Sequence, residues 1–125
     1  MANYHGDFIW YELMTTDRRA AEAFYGPLTG WTFGGDESYR QIEASEGHVG
    51  GILQLTDEMS AGGARPAWLG YIAVDDVDKM AASIAADGGG IAMPAREIEG
   101  AGRVAMVTDP QGAHFYVMTP RPPPG

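Results

Sequence analysis

Glu12 sits in the run FIWYELM, a carboxylate among aromatic and apolar neighbours. Such a group loses part of its hydration and has to be compensated or used. It could serve as a general base. It could equally accept from a tyrosine hydroxyl or pair with Arg103. His114, beside the Gln111-Gly112 turn, is the second titratable candidate, and a lone histidine is more often a satisfied surface or core group. His48 reads as a turn residue, and His5 belongs to the lead-in. Glu12 and His114 together would offer a metal only two ligands. Trp10, Trp68, Tyr71 and Tyr116 supply aromatic lining, and Gln54 a polar group on the same predicted face. Phe24 and Trp31 read as core. Arg103, next to a glycine-rich turn, could clamp an anion or pair with one of seventeen acidic residues. Cysteine is absent, which excludes thiolate metal sites, disulfides and cysteine nucleophiles.

Positioning these groups falls to alternating strands and helices. Phe8 to Met14 has strand composition and ends in Thr-Thr-Asp. Thr16 or Asp17 can cap the helix that follows, roughly 17–26. Its apolar stripe is Ala20, Ala23, Phe24 and Leu28, and Gly30 stops it. A fainter copy recurs at 69–91, LGYIAVDDVDKMAASIAADGGGI. Asp17 and Asp76, Ala23 and Ala82, and Gly30 and Gly89 match at one common offset, so the chain reads as an internal repeat. Short strands are expected at Trp31–Phe33, Tyr39–Ala44 and Val49–Leu55. The stretch 56–66, with MSAGGARP in it, reads as a linker. The second half repeats the order: a strand at Trp68–Val74, a helix capped by Asp75 or Asp76 with Val77, Met80, Ala81 and Ile84 on one face, then strands at Ile91–Ile98, Arg103–Thr108 and His114–Met118. Asp109-Pro110-Gln111-Gly112 is a strong turn signal. Residues 1–7 read as a loose lead-in and RPPPG as a disordered tail.

Each half is thus strand, helix and three strands, an α+β architecture of two βαβββ modules in one domain. Module one is about 8–55, module two about 67–119, and the tail 120–125. The two modules would form a curved mixed sheet around a concave cavity, with helices outside. Alternation along the strands would then turn Trp10, Glu12, Met14, Ile52, Gln54, Leu69, Tyr71, His114, Tyr116 and Met118 inward, where a ligand would sit.

The bulk composition bounds the rest. A chain of 125 residues suits one ordinary domain, and 18 glycines and 8 prolines mark many turns. A net charge of −9 argues against nucleic acid and is compatible with a cationic ligand. MANYHGDF has no basic region followed by an apolar run, and no stretch approaches the roughly 18 apolar residues of a membrane span. The expectation is a cytoplasmic protein without membrane partners.

Three segments, AAEAFYGPLTGW at 20–31, VDDVDKMAASIAADGGG at 74–90 and GRVAMVTDPQGAHFYV at 102–117, give the chain a resemblance to the vicinal oxygen chelate superfamily. Glyoxalase I, bleomycin-resistance proteins and extradiol dioxygenases belong to that group. The likeness runs from Phe8 to Thr119 and is nearest to glyoxalase-like proteins, many of them tandem duplications of a unit this size. Metal-using members hold a divalent ion with His or Glu on four inner strands. Those places fall at Trp10, near Gln54, near Leu69, and at Tyr116, none of them His, Asp or Glu, and indole, leucyl and phenol groups are poor partners for such an ion. The resemblance therefore implies binding of a small aromatic or carbonyl compound without the usual metal and with no cofactor. Two readings follow. One is a lyase or isomerase with Glu12 as base. The other is a non-catalytic binding protein sequestering a cationic or aromatic ligand. The resemblance also implies a homodimer.

Overall fold

The computed structural model describes residues 5–36, 39–45, 47–99 and 101–120. The fold is α+β, and each repeat has the expected order of elements. The first contains β1 (Phe8–Thr15), α1 (Arg18–Thr29), β2 (Thr32–Gly35), β3 (Tyr39–Ala44) and β4 (Gly47–Gln54). After α2 (Asp57–Ala61) come β5 (Ala67–Ala73), α3 (Val77–Ala86), β6 (Gly90–Ile98), β7 (Gly102–Thr108) and β8 (His114–Pro120). By contact density the chain divides into a unit Trp10–Leu69 and a unit of Gly70–Gly125 with Met1–Ile9.

Within each unit the strand order is the same. The first runs β2-β3-β4-β1, with β1 parallel to β4 and the other pairs antiparallel. The second runs β5-β8-β7-β6, with β5 parallel to β8. The helix is the crossover that such a parallel pair requires. Asp17 and Asp76 are the helix caps, accepting from the amides of Ala20 and Lys79. Gly30 ends α1 with φ 79, a left-handed conformation that glycine adopts without steric cost.

α3 packs as its sequence predicts. Met80 and Ile84 cover a core of Val74, Val77, Ala105, Val107 and Val117. α1 does not. Ala21 and Tyr25 cover Leu13, Ile42 and Ile52, while Phe24 and Leu28 are 61% and 71% exposed. The inward stripe also carries Arg18 and Glu22, which pair with each other, and Arg40 of β3 joins Glu22 at 3.2 Å. Counting apolar residues alone missed that stripe, and Phe24 is not core.

The expected linker contains α2, capped by Thr56, whose hydroxyl accepts from Met59 N. The lead-in is anchored from His5 onward. Gly6 donates to Ala73 O at 2.8 Å, Ala73 donates back to Asp7 O at 2.8 Å, and Asp75 N donates to His5 Nδ1. Residues 1–4 and the tail 121–125 lie outside the described residues. No helix among the described residues is long and apolar enough to cross a membrane.

Candidate functional site

Leu13 is in the core beneath α1, so Trp10, Glu12 and Met14 occupy the other face of β1. Glu12 is only 2% exposed. It lies opposite Gly51 of β4, which lies opposite Gln41 of β3. Gly51 leaves a hole in that face, and the phenol of Tyr39 fills it: a Cβ on Gly51 would collide with the Tyr39 ring and hydroxyl. Trp10 Nε1 donates to Tyr39 Oη at 3.0 Å. Trp10, Glu12 and Tyr39 thus gather on one face of one sheet. No buried side-chain nitrogen or oxygen among the described residues lacks a hydrogen-bond partner, so Glu12 is compensated where it sits.

Sequence reading missed Tyr39. The signal was present in the Gly50-Gly51 pair, because glycine inside a strand marks a place where another group comes close.

Gln54 is not part of this face. Its Oε1 accepts from Arg18 N at 2.9 Å, and its Nε2 donates to Thr16 O at 2.7 Å and Leu55 O at 3.2 Å. It ties the start of α1 to the end of β4. Ile52, in phase with it, is core beneath α1. The phase expected for β4 is therefore wrong by one residue, which turns every side chain over. HVGGILQL carries two glycines, and nothing in their alternation fixes which face is which.

Trp68 also differs from expectation. Its Nε1 donates to Tyr25 Oη at 3.1 Å, and its ring meets Tyr25 at 5.4 Å and Trp31 at 6.0 Å. It belongs with α1, on the side opposite Glu12. In the other unit, Tyr71 and Tyr116 are register partners on β5 and β8 and stack at 4.1 Å, each 8% exposed. His114, at the start of β8, is exposed.

Arg103 is no free anion clamp. Its Nε and Nη2 grip the two Asp78 carboxylate oxygens at 2.8 and 3.0 Å, and Glu97 lies 3.7 Å from Nη1. These hydrogen bonds hold the Asp78 carboxyl below its ordinary value of 3.8, outweighing the opposing loss of solvation. A depressed carboxylate stabilises the fold fully above its ordinary value and loses that contribution as pH falls through the folded value. The exposed setting keeps the effect small. In Arg103→Gln, an NMR titration should show the Asp78 midpoint moving upward; an unchanged midpoint would mean the pair does not form.

The four positions that the resemblance pointed to do not fit a metal. Trp10 has an indole engaged with Tyr39, Gln54 is spent on the α1 N-terminus, Leu69 is apolar, and Tyr116 is stacked on Tyr71. Correcting the β4 phase substitutes Gly51 and Leu53, which are no better. Among the described residues, no three His, Cys, Asp or Glu side chains gather as a ligand set.

Two cavities accompany these groups. One, about 270 Å³, opens on the α1 side of its unit between Tyr11, Trp31, Ile42, Val49, Gly50 and Trp68. The other, about 260 Å³, lies in the second unit beside α3 and includes Met80, Ile84, Asp109 and Phe115.

The family model described as Glyoxalase/Bleomycin resistance protein/Dioxygenase superfamily matches residues 8–117. The chain is 38% identical over 127 residues to the protein named "Putative glyoxylase CFP32" of Mycobacterium tuberculosis, covering 98% of this chain and 47% of that one. It is 27% identical over 123 residues to the Anthracycline biosynthesis protein DnrV of Streptomyces peucetius, covering 86% and 45%. The chain spans about half the length of the curated relatives it matches. Among solved structures, the Mn(II)-bound glyoxalase of Novosphingobium aromaticivorans superimposes with a TM-score of 0.66 at 22% identity, over 94% of this chain and 40% of that one.

Proposed function

The chain belongs to the glyoxalase/bleomycin resistance protein/dioxygenase superfamily, and on that footing we propose that it binds a small aromatic, carbonyl-bearing molecule and moves a proton on it with Glu12. The observation that carries this reading is the near-complete burial of Glu12 on the face where Trp10 donates to Tyr39. Burying a carboxylate costs several kcal/mol even after relaxation, and this face puts such a group among aromatic rings. In the proposed step, a Glu12 oxygen takes a proton from the carbon next to the ligand's carbonyl. The C–H electron pair moves to form the enolate. The same carboxyl then returns the proton, so no other reactant is consumed. The Tyr39 hydroxyl accepts from Trp10, and a phenol that accepts is also a donor. Its hydrogen, donated to the carbonyl oxygen, would steady the developing negative charge. No step is routed through a metal, because the four transferred positions carry no His, Asp or Glu. DnrV carries anthracycline biosynthesis in its name, which favours polycyclic aromatic ketones over aliphatic aldehydes.

The acidity of the chain favours a second reading, sequestration of a cationic aromatic ligand without chemistry. Calorimetric titration with neutral aromatic ketones, quinones and cationic aromatics, alongside proton–deuterium exchange at the ligand's α-carbon, separates the two. The catalytic reading expects micromolar binding of an aromatic ketone with enzyme-dependent exchange. Tight binding of cationic aromatics with no exchange would replace it by the second reading, and no binding of either class would sink both.

A further inference from the structure

In the second unit, strand register fixes which side chains stand on the face away from α3. Ala95 of β6 and Ala105 and Val107 of β7 pack with the core that α3 covers. Alternation therefore turns Arg96, Val104 and Met106 to the other face. There Arg96 lies opposite Val104, and Val104 opposite Met118. In the next row Met93 lies opposite Met106, and Met106 opposite Tyr116. Three residues apart on a regular strand, Met93 and Arg96 would point to opposite sides. The register shift between them re-aims one of the two, as a bulge does, and brings both to the same face. Pro94 sits within that shift, on a strand at the end of the sheet, where proline is tolerated.

Three features of this face bear on what it can hold. Met93, Met106 and Met118 are three of the chain's seven methionines, and the methionine thioether adapts its shape and packs well against aromatic rings. Arg96 is exposed on β6 between Met93 and Ile98, each 37% exposed. β6, β7 and β8 turn no Asp or Glu to this side, in a chain with 17 acidic residues and 8 basic ones. Glu97, next to Arg96 in sequence, lies beside Arg103 on the α3 side instead, and among the described residues no carboxylate pairs with Arg96. We infer that this face binds a small aromatic carboxylate, with its ring on the three methionines and its carboxylate on the Arg96 guanidinium. The guanidinium offers two parallel N–H donors that match the two carboxylate oxygens. Neighbouring strands are about 4.8 Å apart, so β6 to β8 spans about 10 Å, enough for a bicyclic ring. The net charge of −9 opposes an approaching anion, but salt screens that repulsion beyond about 10 Å, whereas the contact with Arg96 is direct. All of these residues belong to one unit, and the inference does not rest on the chemistry assigned to Glu12.

The test is an NMR titration of the full chain, its methionine methyl groups isotope-labelled, with naphthoate and with acetylnaphthalene as the uncharged counterpart. Naphthoate is expected to move the methyl signals of Met93, Met106 and Met118 and to leave those of Met59 and Met80 in place. It should bind at least about tenfold more tightly than acetylnaphthalene, the scale of hydrogen bonds to a charged group. Arg96→Gln should weaken naphthoate by about 10–100-fold and leave acetylnaphthalene unchanged. Arg96→Lys keeps the charge without the fork and should fall between the two. Arg96 is exposed, and methyl spectra of the free variants that match wild type would verify the fold. Four results would each overturn the inference: no shift at millimolar naphthoate, equal affinity for the two compounds, wild-type naphthoate affinity in Arg96→Gln, or shifts confined to Met14, which shares the face of Glu12. The last would place the ligand on the Glu12 face instead.

Discussion

Gly50→Ala should cost about 3–5 kcal/mol of stability, a large share of the roughly 5–15 kcal/mol that holds a domain of this kind folded. Gly50 lies in the middle of β4, between Tyr11 of β1 and Ile42 of β3. A methyl group there would collide with the carbonyl oxygen and carbon of Tyr11. Those are backbone atoms with no rotamer to change, so the parallel β1–β4 pair must move apart. That pair sets Leu13 beside Ile52 in the core and Glu12 beside Gly51 on the other face. One methyl group therefore disturbs packing and site together. Gly51→Ala is the informative contrast. Its methyl would meet the Tyr39 side chain, which can rotate away, so the stability cost should be smaller, about 1–3 kcal/mol. Urea unfolding of both variants measures the difference. A Gly50→Ala midpoint within error of wild type would show that the strands do not approach as described.

Most of the architecture was legible because it rests on local signals. Asp17, Asp76 and Gly30 announced the helix ends, the Asp-Pro-Gln-Gly turn separated β7 from β8, and the repeat supplied the order of elements in each half. What was not legible depends on partners remote in sequence. The apolar count for α1 pointed to Phe24 and Leu28, whereas the side that packs carries Arg18 and Glu22, tolerable there because Arg40 reaches across from β3. β4 presents glycines where a phase would normally show, so Gln54 was turned to the wrong face. Trp68 and Arg103 were read as ligand-facing because nothing local reveals Tyr25 or Asp78 waiting as partners. Glu12 was singled out by its surroundings in sequence. Tyr39 was not, because its significance arises only from the hole above Gly51.

Glu12→Gln is the substitution with the largest expected effect on chemistry. The amide keeps the shape of the carboxylate but cannot accept a proton as a base. If Glu12 performs the transfer, ligand α-proton exchange should fall by about 10²–10⁴-fold, the usual contribution of a positioned general base, while ligand affinity changes little. Glu12→Ala should do more. It removes a buried, compensated carboxylate, and a buried polar partner left unsatisfied costs about 1–3 kcal/mol, so stability falls along with activity. Tyr39→Phe separates the phenol's role from that of the carboxylate. The ring still fills the space over Gly51, but Trp10 Nε1 loses its acceptor and the carbonyl loses its donor. Exchange should fall by about 10²-fold or more, the scale of losing one oxyanion donor, with the ring packing retained. Because the two side chains would act on one transition state, their effects should not add: Glu12→Gln with Tyr39→Phe should be little slower than Glu12→Gln alone. Exchange rates from a deuterium wash-in series on all four proteins decide the matter. Full activity in Glu12→Gln would remove the base from the mechanism and leave binding as the function of this face.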